Sequence, residues 1–74
     1  MHIETKVLLL GILKKESDET LHDVVLKLEQ SRVFTLKEGK KLLKGLKNDG
    51  FIVENNLTIK GELEAKSIEK EFKI

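Results

Sequence analysis

The chain has 74 residues, with no cysteine and no proline, and 39% of its side chains are apolar against 36% charged. That length makes one domain, 1–74, hiding only about 60% of its unfolded surface on folding, and the composition suits a soluble, helix-rich globular chain. The lack of cysteine excludes disulfides and thiolate zinc sites, and His2 and His22 are too few for a metal cluster without several carboxylate partners.

Fourteen Lys and Arg against thirteen Asp and Glu leave a net charge of +1, so any electrostatic argument rests on where the charges sit. The apolar stretch from Val7 to Leu13 includes Gly11 and falls far short of the roughly 20 residues of a membrane span. No small-residue cleavage site follows it, and a cytoplasmic location without membrane contact is expected.

The first helical run covers about Glu4 to Lys15. At about 100° per residue, Ile3, Val7 and Leu10 share one side, while Leu8, Leu9, Ile12 and Leu13 spread over the rest. A helix apolar nearly all round is buried on more than one side. It is either a central core helix or a helix covered on one side by a second subunit.

A polar break, Glu16 to Glu19, leads to Thr20 and Asp23, which have the spacing of a helix start. The acids Glu16, Asp18 and Glu19 are expected there for the helix dipole alone. Leu21, Val24, Val25 and Leu28 then recur at helical spacing and predict a second helix over Leu21–Gln30, with His22 solvated in its first turn. After a connection from Ser31 to Phe34, Thr35-Leu36-Lys37-Glu38 is a capping box opening a third helix. Leu36, Gly39, Leu42, Leu43 and Leu46 mark its buried face, with Gly39 placed for close helix approach. Gly50 is placed for the left-handed turn past its end. Gly45 lies off the apolar face and costs about 1 kcal/mol against alanine with no evident reason.

Phe51 to Glu54 is rich in strand formers, and Asn55-Asn56 can turn with positive φ, which predicts a hairpin back into Leu57 and Thr58. Beyond it, Leu57, Ile59, Gly61, Leu63 and Ala65 alternate as a strand would, whereas Gly61, Ala65, Ile68 and Phe72 line one helical face. The ordered pairs Glu62–Lys66 and Glu69–Lys73, and Thr58 as a cap, favour a helix over 59–72.

The third helix carries the functional signal. Lys37, Lys40, Lys41, Lys44 and Lys47 fall within about 120° of arc, roughly opposite the apolar face. Glu38 projects to the side of this stripe and Asp49 lies at its far end. Like charges on one face repel and weaken a helix, whereas a polyanion would convert that repulsion into binding, because each lysine that neutralises a phosphate releases a counterion. The alternative is a solvated, lysine-rich face.

Two capped helices joined by a short turn, the second one basic and followed at once by a hairpin, form a helix-turn-helix pattern. Here the chain resembles the winged helix-turn-helix superfamily of small DNA-binding regulators. The residues carrying the resemblance are Thr35 to Glu38, the run from Leu42 to Ile52, and Leu57-Thr58-Ile59-Lys60-Gly61 before the last helix.

The resemblance spans roughly Glu4 to Phe72. It implies a mainly α fold with a three-helix core, a short β-wing and a C-terminal helix, acting on double-stranded DNA as a homodimer. It places Thr35, Lys37, Lys40, Lys41 and Lys44 against DNA, with Lys47 at most touching the backbone. Arg32, the only arginine, would meet a phosphate from the turn. The dimer would use the first helix, at Leu9 and Ile12, and the face of Ala65, Ile68 and Phe72, with Ile74 at the end.

Two departures from the superfamily pattern bear on mechanism. The hairpin loop holds only Glu54, Asn55 and Asn56, and Glu54 would repel phosphate. The third helix has no arginine, the residue that most often reads guanine, so phosphate contacts should dominate. A protein-interaction module docking its lysine face on an acidic partner is the alternative function. No nucleophile with a neighbouring base and no phosphate-binding glycine loop is present, so no enzyme, cofactor or small-molecule ligand is expected. The shortage of exposed aromatics argues against RNA.

Overall fold

Two threonines start the middle helices in the same way. Thr20 Oγ1 accepts from the Asp23 N–H (3.1 Å), and the Asp23 carboxylate accepts from the Thr20 N–H (3.0 Å). Thr35 and Glu38 repeat this exchange at 3.2 and 3.0 Å. In the computed structural model, which describes residues 2–72, these boxes open α2 (Leu21–Gln30) and α3 (Leu36–Asn48). Before them lies α1 (Ile3–Leu13). After them come an antiparallel hairpin of β1 (Ile52–Val53) and β2 (Asn56–Leu57), and then α4 (Ile59–Phe72).

The two capped helices also end alike. Arg32 and Gly50, with φ of 62° and 79°, take the left-handed position past α2 and α3. The Val33 N–H then reaches the Leu28 carbonyl (3.0 Å) and the Phe51 N–H the Leu46 carbonyl (2.9 Å). Bonds from the Arg32 N–H to the Glu29 carbonyl (3.0 Å) and from the Gly50 N–H to the Lys47 carbonyl (3.1 Å) complete the two Schellman closures. Glycine fits that conformation freely; the arginine adopts it against its Cβ.

The near-uniform apolarity of α1 follows from its central place. It packs most extensively on α4, then on α2, and touches β2. Leu8 and Leu9 are fully buried and Ile12 nearly so. This corrects the dimer surface read from the sequence. Leu9, Ile12, Ala65 and Ile68 lie in the chain's own core, at 0–3% exposure, and have no surface left for a second subunit. Phe72 keeps 42% exposure, and Ile74 lies outside the described residues. The apolar side chains that α4 turns outward are instead Ile59 and Leu63, 82% and 67% exposed. Ion pairs Lys6–Glu71 (2.8 Å) and Lys14–Glu69 (3.1 Å) flank the α1–α4 seam. The expected Glu62–Lys66 pair forms at 3.1 Å, whereas the Lys73 of the other expected pair lies outside the described residues.

Phe34, read from the sequence as part of a connection, is a core residue at 7% exposure. Its ring lies against Gly39, where an added Cβ would come within 2.7 Å of Phe34 Cε1 and of Val25 Cγ1. Close α2–α3 approach therefore depends on that glycine.

The end of α3, the hairpin and the start of α4 are joined by short-range bonds. Thr58 Oγ1 donates to the Gly50 carbonyl (2.6 Å) and accepts from the Gly61 N–H (3.0 Å), the expected cap of α4. Lys60 Nζ donates to the Asp49 carbonyl (2.7 Å) and lies 4.6 Å from the Phe51 ring centre. The hairpin register pairs Ile52 with Leu57 and Val53 with Asn56, so the turn is Glu54-Asn55. That is one residue earlier than the predicted Asn55-Asn56, and the positive φ, 53°, falls on Glu54. The body measures 30 × 25 × 24 Å, and the hairpin strands are two residues each. Among the described residues, no helix is long and apolar enough to cross a membrane.

Candidate nucleic-acid interface

The apolar side of α3 buries Gly39 and Leu46 and half-buries Leu36, Leu42 and Leu43. That orientation leaves Lys37, Lys40, Lys41, Lys44 and Lys47 exposed. The other three helices each neutralise a lysine: Lys6 of α1 pairs with Glu71, Lys27 of α2 with Glu19, and Lys66 of α4 with Glu62. Among the described residues, none of the five α3 lysines has an ion-pair partner within 4 Å. The one acid within their span, Glu38, is held by the cap. Its hydrogen bond from the Thr35 N–H, and then that with the Thr35 side chain, keep its carboxyl below the ordinary 4.5. The face is therefore a patch of unneutralised charge on a rigid helix.

The lysines do not act as one line. Lys40, Lys44 and Lys47 border a groove of about 430 Å³ whose other wall is the start of α2, with Thr20, Leu21 and His22, and whose end is the hairpin tip, with Glu54 and Asn55. Lys41 borders a separate depression toward the N-terminus of α1, beside His2 and Leu42. Lys37 stands outside both. Lys47, expected to be marginal, thus joins Lys40 and Lys44.

Thr35 sits at the N-cap with its hydroxyl oxygen accepting from the Glu38 N–H, so its side chain is engaged by the cap. Arg32 is exposed in the α2–α3 turn and is not among the residues lining the α2–α3 groove. The core residues assigned to a dimer lie elsewhere, in the α1–α4 layer.

The sequence did not show that three residues, His22, Glu54 and Asn55, meet at one groove. Asn55 bridges the hairpin tip to α2, accepting from the Leu21 N–H (2.8 Å) and donating to the Glu19 carbonyl (3.0 Å). His22 and Glu54 join the wall only through that closure. A partner 34 or 36 residues away leaves no local spacing to read. The same closure occupies the start of α2: the Leu21, Asp23 and Val24 amides are all bonded within the chain. The positive end of this helix dipole is thus largely satisfied, and lysine side chains supply the groove's attraction for anions.

Two acids at the start of α2, Glu19 and Asp23, are stabilised as anions. Glu19 lies below its ordinary value because the Glu16 N–H bonds it, with Lys27 adding to the effect. Asp23 does so chiefly through the Thr20 N–H. Among the described residues, no three His, Cys, Asp or Glu side chains come together as a metal site. Compared with known protein families, curated proteins and solved structures, the chain finds no match.

Proposed function

We propose that this chain is a DNA-binding regulator of the winged helix-turn-helix type, with α3 as the helix that enters the major groove. The observation that supports this reading is the set of five exposed, unpaired lysines on one capped helix, in a chain whose other helices each pair a lysine with an acid. The element order, with α2 and α3 joined by a short turn and followed by a hairpin and α4, agrees with it. Lys37, Lys40, Lys41 and Lys44 contact phosphates, Thr35 and Arg32 add contacts at the start of α3, and sequence is read only modestly, because lysine acts as a point charge rather than a bidentate fork.

A two-fold pair would set two lysine faces on half-sites about one helical turn apart. The surface for that pairing is the outer arc of α4, with Ile59 and Leu63, since the residues first read as a dimer face are buried within one chain.

Fluorescence anisotropy on a labelled mixed-sequence duplex tests the proposal. With three or four lysines each neutralising a phosphate, log Kd against log salt has a slope of about 3. The Lys40→Glu, Lys44→Glu double variant loses most of the binding while keeping its helical circular dichroism. No binding by the folded wild type at low salt would overturn the reading and turn attention to an acidic protein partner, which the near-zero net charge and the short hairpin also suit.

A further inference from the structure

Glu54 stands at the hairpin tip on the wall of the same groove as Lys40, Lys44 and Lys47. Its backbone is left-handed, with φ of 53°, a conformation that glycine or asparagine takes with less strain, and asparagines occupy the next two positions. The turn itself therefore gives no reason for a glutamate here. A strained residue of this kind is a pointer to function.

The tip is also fixed. Asn55, the next residue, is tied by both side-chain bonds to the start of α2, so the backbone that carries Glu54 is held at the groove. Among the described residues, Glu54 has no ion-pair partner within 4 Å, so its charge is not cancelled locally. A groove of about 430 Å³ is on the order of 8 Å across, which is within the screening length of about 8–10 Å at physiological salt. Any phosphate entering to meet Lys40, Lys44 and Lys47 meets the Glu54 carboxylate as well.

We infer that Glu54 is a specificity-determining residue that works by repulsion: it opposes phosphate entry at the hairpin end of the α2–α3 groove and so weakens the pull of Lys40, Lys44 and Lys47 on the duplex backbone. This rests on the DNA-binding reading and adds to it a limit on sequence-independent affinity. Repulsion of this kind separates partners as effectively as attraction does.

The experiment compares wild type, Glu54→Gln, Glu54→Lys and Glu64→Lys on the same labelled duplex over a salt series, with thermal melts confirming that each is folded. Glu64 lies on α4, away from the groove, and its variant matches the charge change of Glu54→Lys. Glu54→Gln should tighten binding about two- to fivefold, the range for one exposed charge contact. Glu54→Lys should tighten it further and steepen the log–log salt slope by about 0.9, one added phosphate contact. Glu64→Lys should change the slope little.

Wild-type binding that neither Glu54 variant improves overturns the inference and leaves the DNA reading standing. An equal gain from Glu64→Lys also overturns it, since net charge alone would then explain the effect. No binding by wild type or any variant at low salt overturns both.

Discussion

At Gly61 and Gly45 the same substitution should act in opposite directions. A Cβ added at Gly61 would lie 1.9 Å from the Phe51 carbonyl oxygen, a backbone atom that cannot step aside without moving the hairpin. Gly61→Ala should destabilise by about 3 kcal/mol or more, at the top of the range for overpacking. A Cβ at Gly45 would meet nothing within 4 Å. Gly45→Ala should stabilise by about 1 kcal/mol, the difference in helix propensity. Urea unfolding followed by circular dichroism measures both. A Gly61→Ala protein as stable as wild type would mean that α4 and the hairpin do not approach as closely as described. The fold does not explain Gly45.

Among the elements, α2 and α3 depend on acids held as anions at their starts. Asp23 and Glu38 lie below their ordinary values of 3.8 and 4.5 because Thr20 and Thr35 amides bond the charged forms. Glu19 lies below 4.5 for the same kind of reason, with Lys27 assisting. A carboxyl lowered in the folded state contributes stability that is complete above its ordinary value and is lost as pH falls through the lowered one. Tm should therefore drop as pH goes below about 4.5. The Asp23→Asn, Glu38→Gln double variant should melt lower than wild type at pH 7 and show a shallower acid dependence. An unchanged acid slope in that variant would mean the caps do not couple to folding. Lys27, raised by its bond to Glu19, has the opposite sign and its contribution fades only as pH rises past 10.5.

These caps were legible in the sequence because donor and acceptor sit three residues apart, and so were the bounds of α2 and the end of α3 at Gly50. What depends on distant partners was not. Phe34 reads as loop until Val25 and Gly39 are brought beside it, and Asn55 reads as a turn former until the Leu21 N–H of α2 arrives to donate to it. The strand-like alternation of Ile59, Gly61 and Leu63 came from two apolar side chains that α4 turns outward. The lysine face itself was visible, since its five residues share one helix. Its division between two depressions, and the acid at one end, depended on tertiary closure.

At the scale of the whole molecule, the apolar stripes of α1 and α4 explain why the dimer surface was misplaced. A stripe at helical spacing says that something covers it, not whether the cover belongs to the same chain. Here α1 and α4 cover each other, so the pairing proposed above is assigned to Ile59 and Leu63, which α4 turns outward. A two-fold contact through one arc would be self-complementary, each Leu63 meeting the apolar side chains of its partner. Because both residues are more than half exposed in the single chain, Ile59→Ser, Leu63→Ser should leave the fold intact. Sedimentation velocity at high micromolar concentration should find a dimer for wild type and a monomer for the variant. The wild-type Tm should rise with concentration, because association stabilises the folded state by mass action, and the variant's should not. A monomeric wild type would remove the paired half-sites from the DNA reading and leave each chain to bind through one α3 alone.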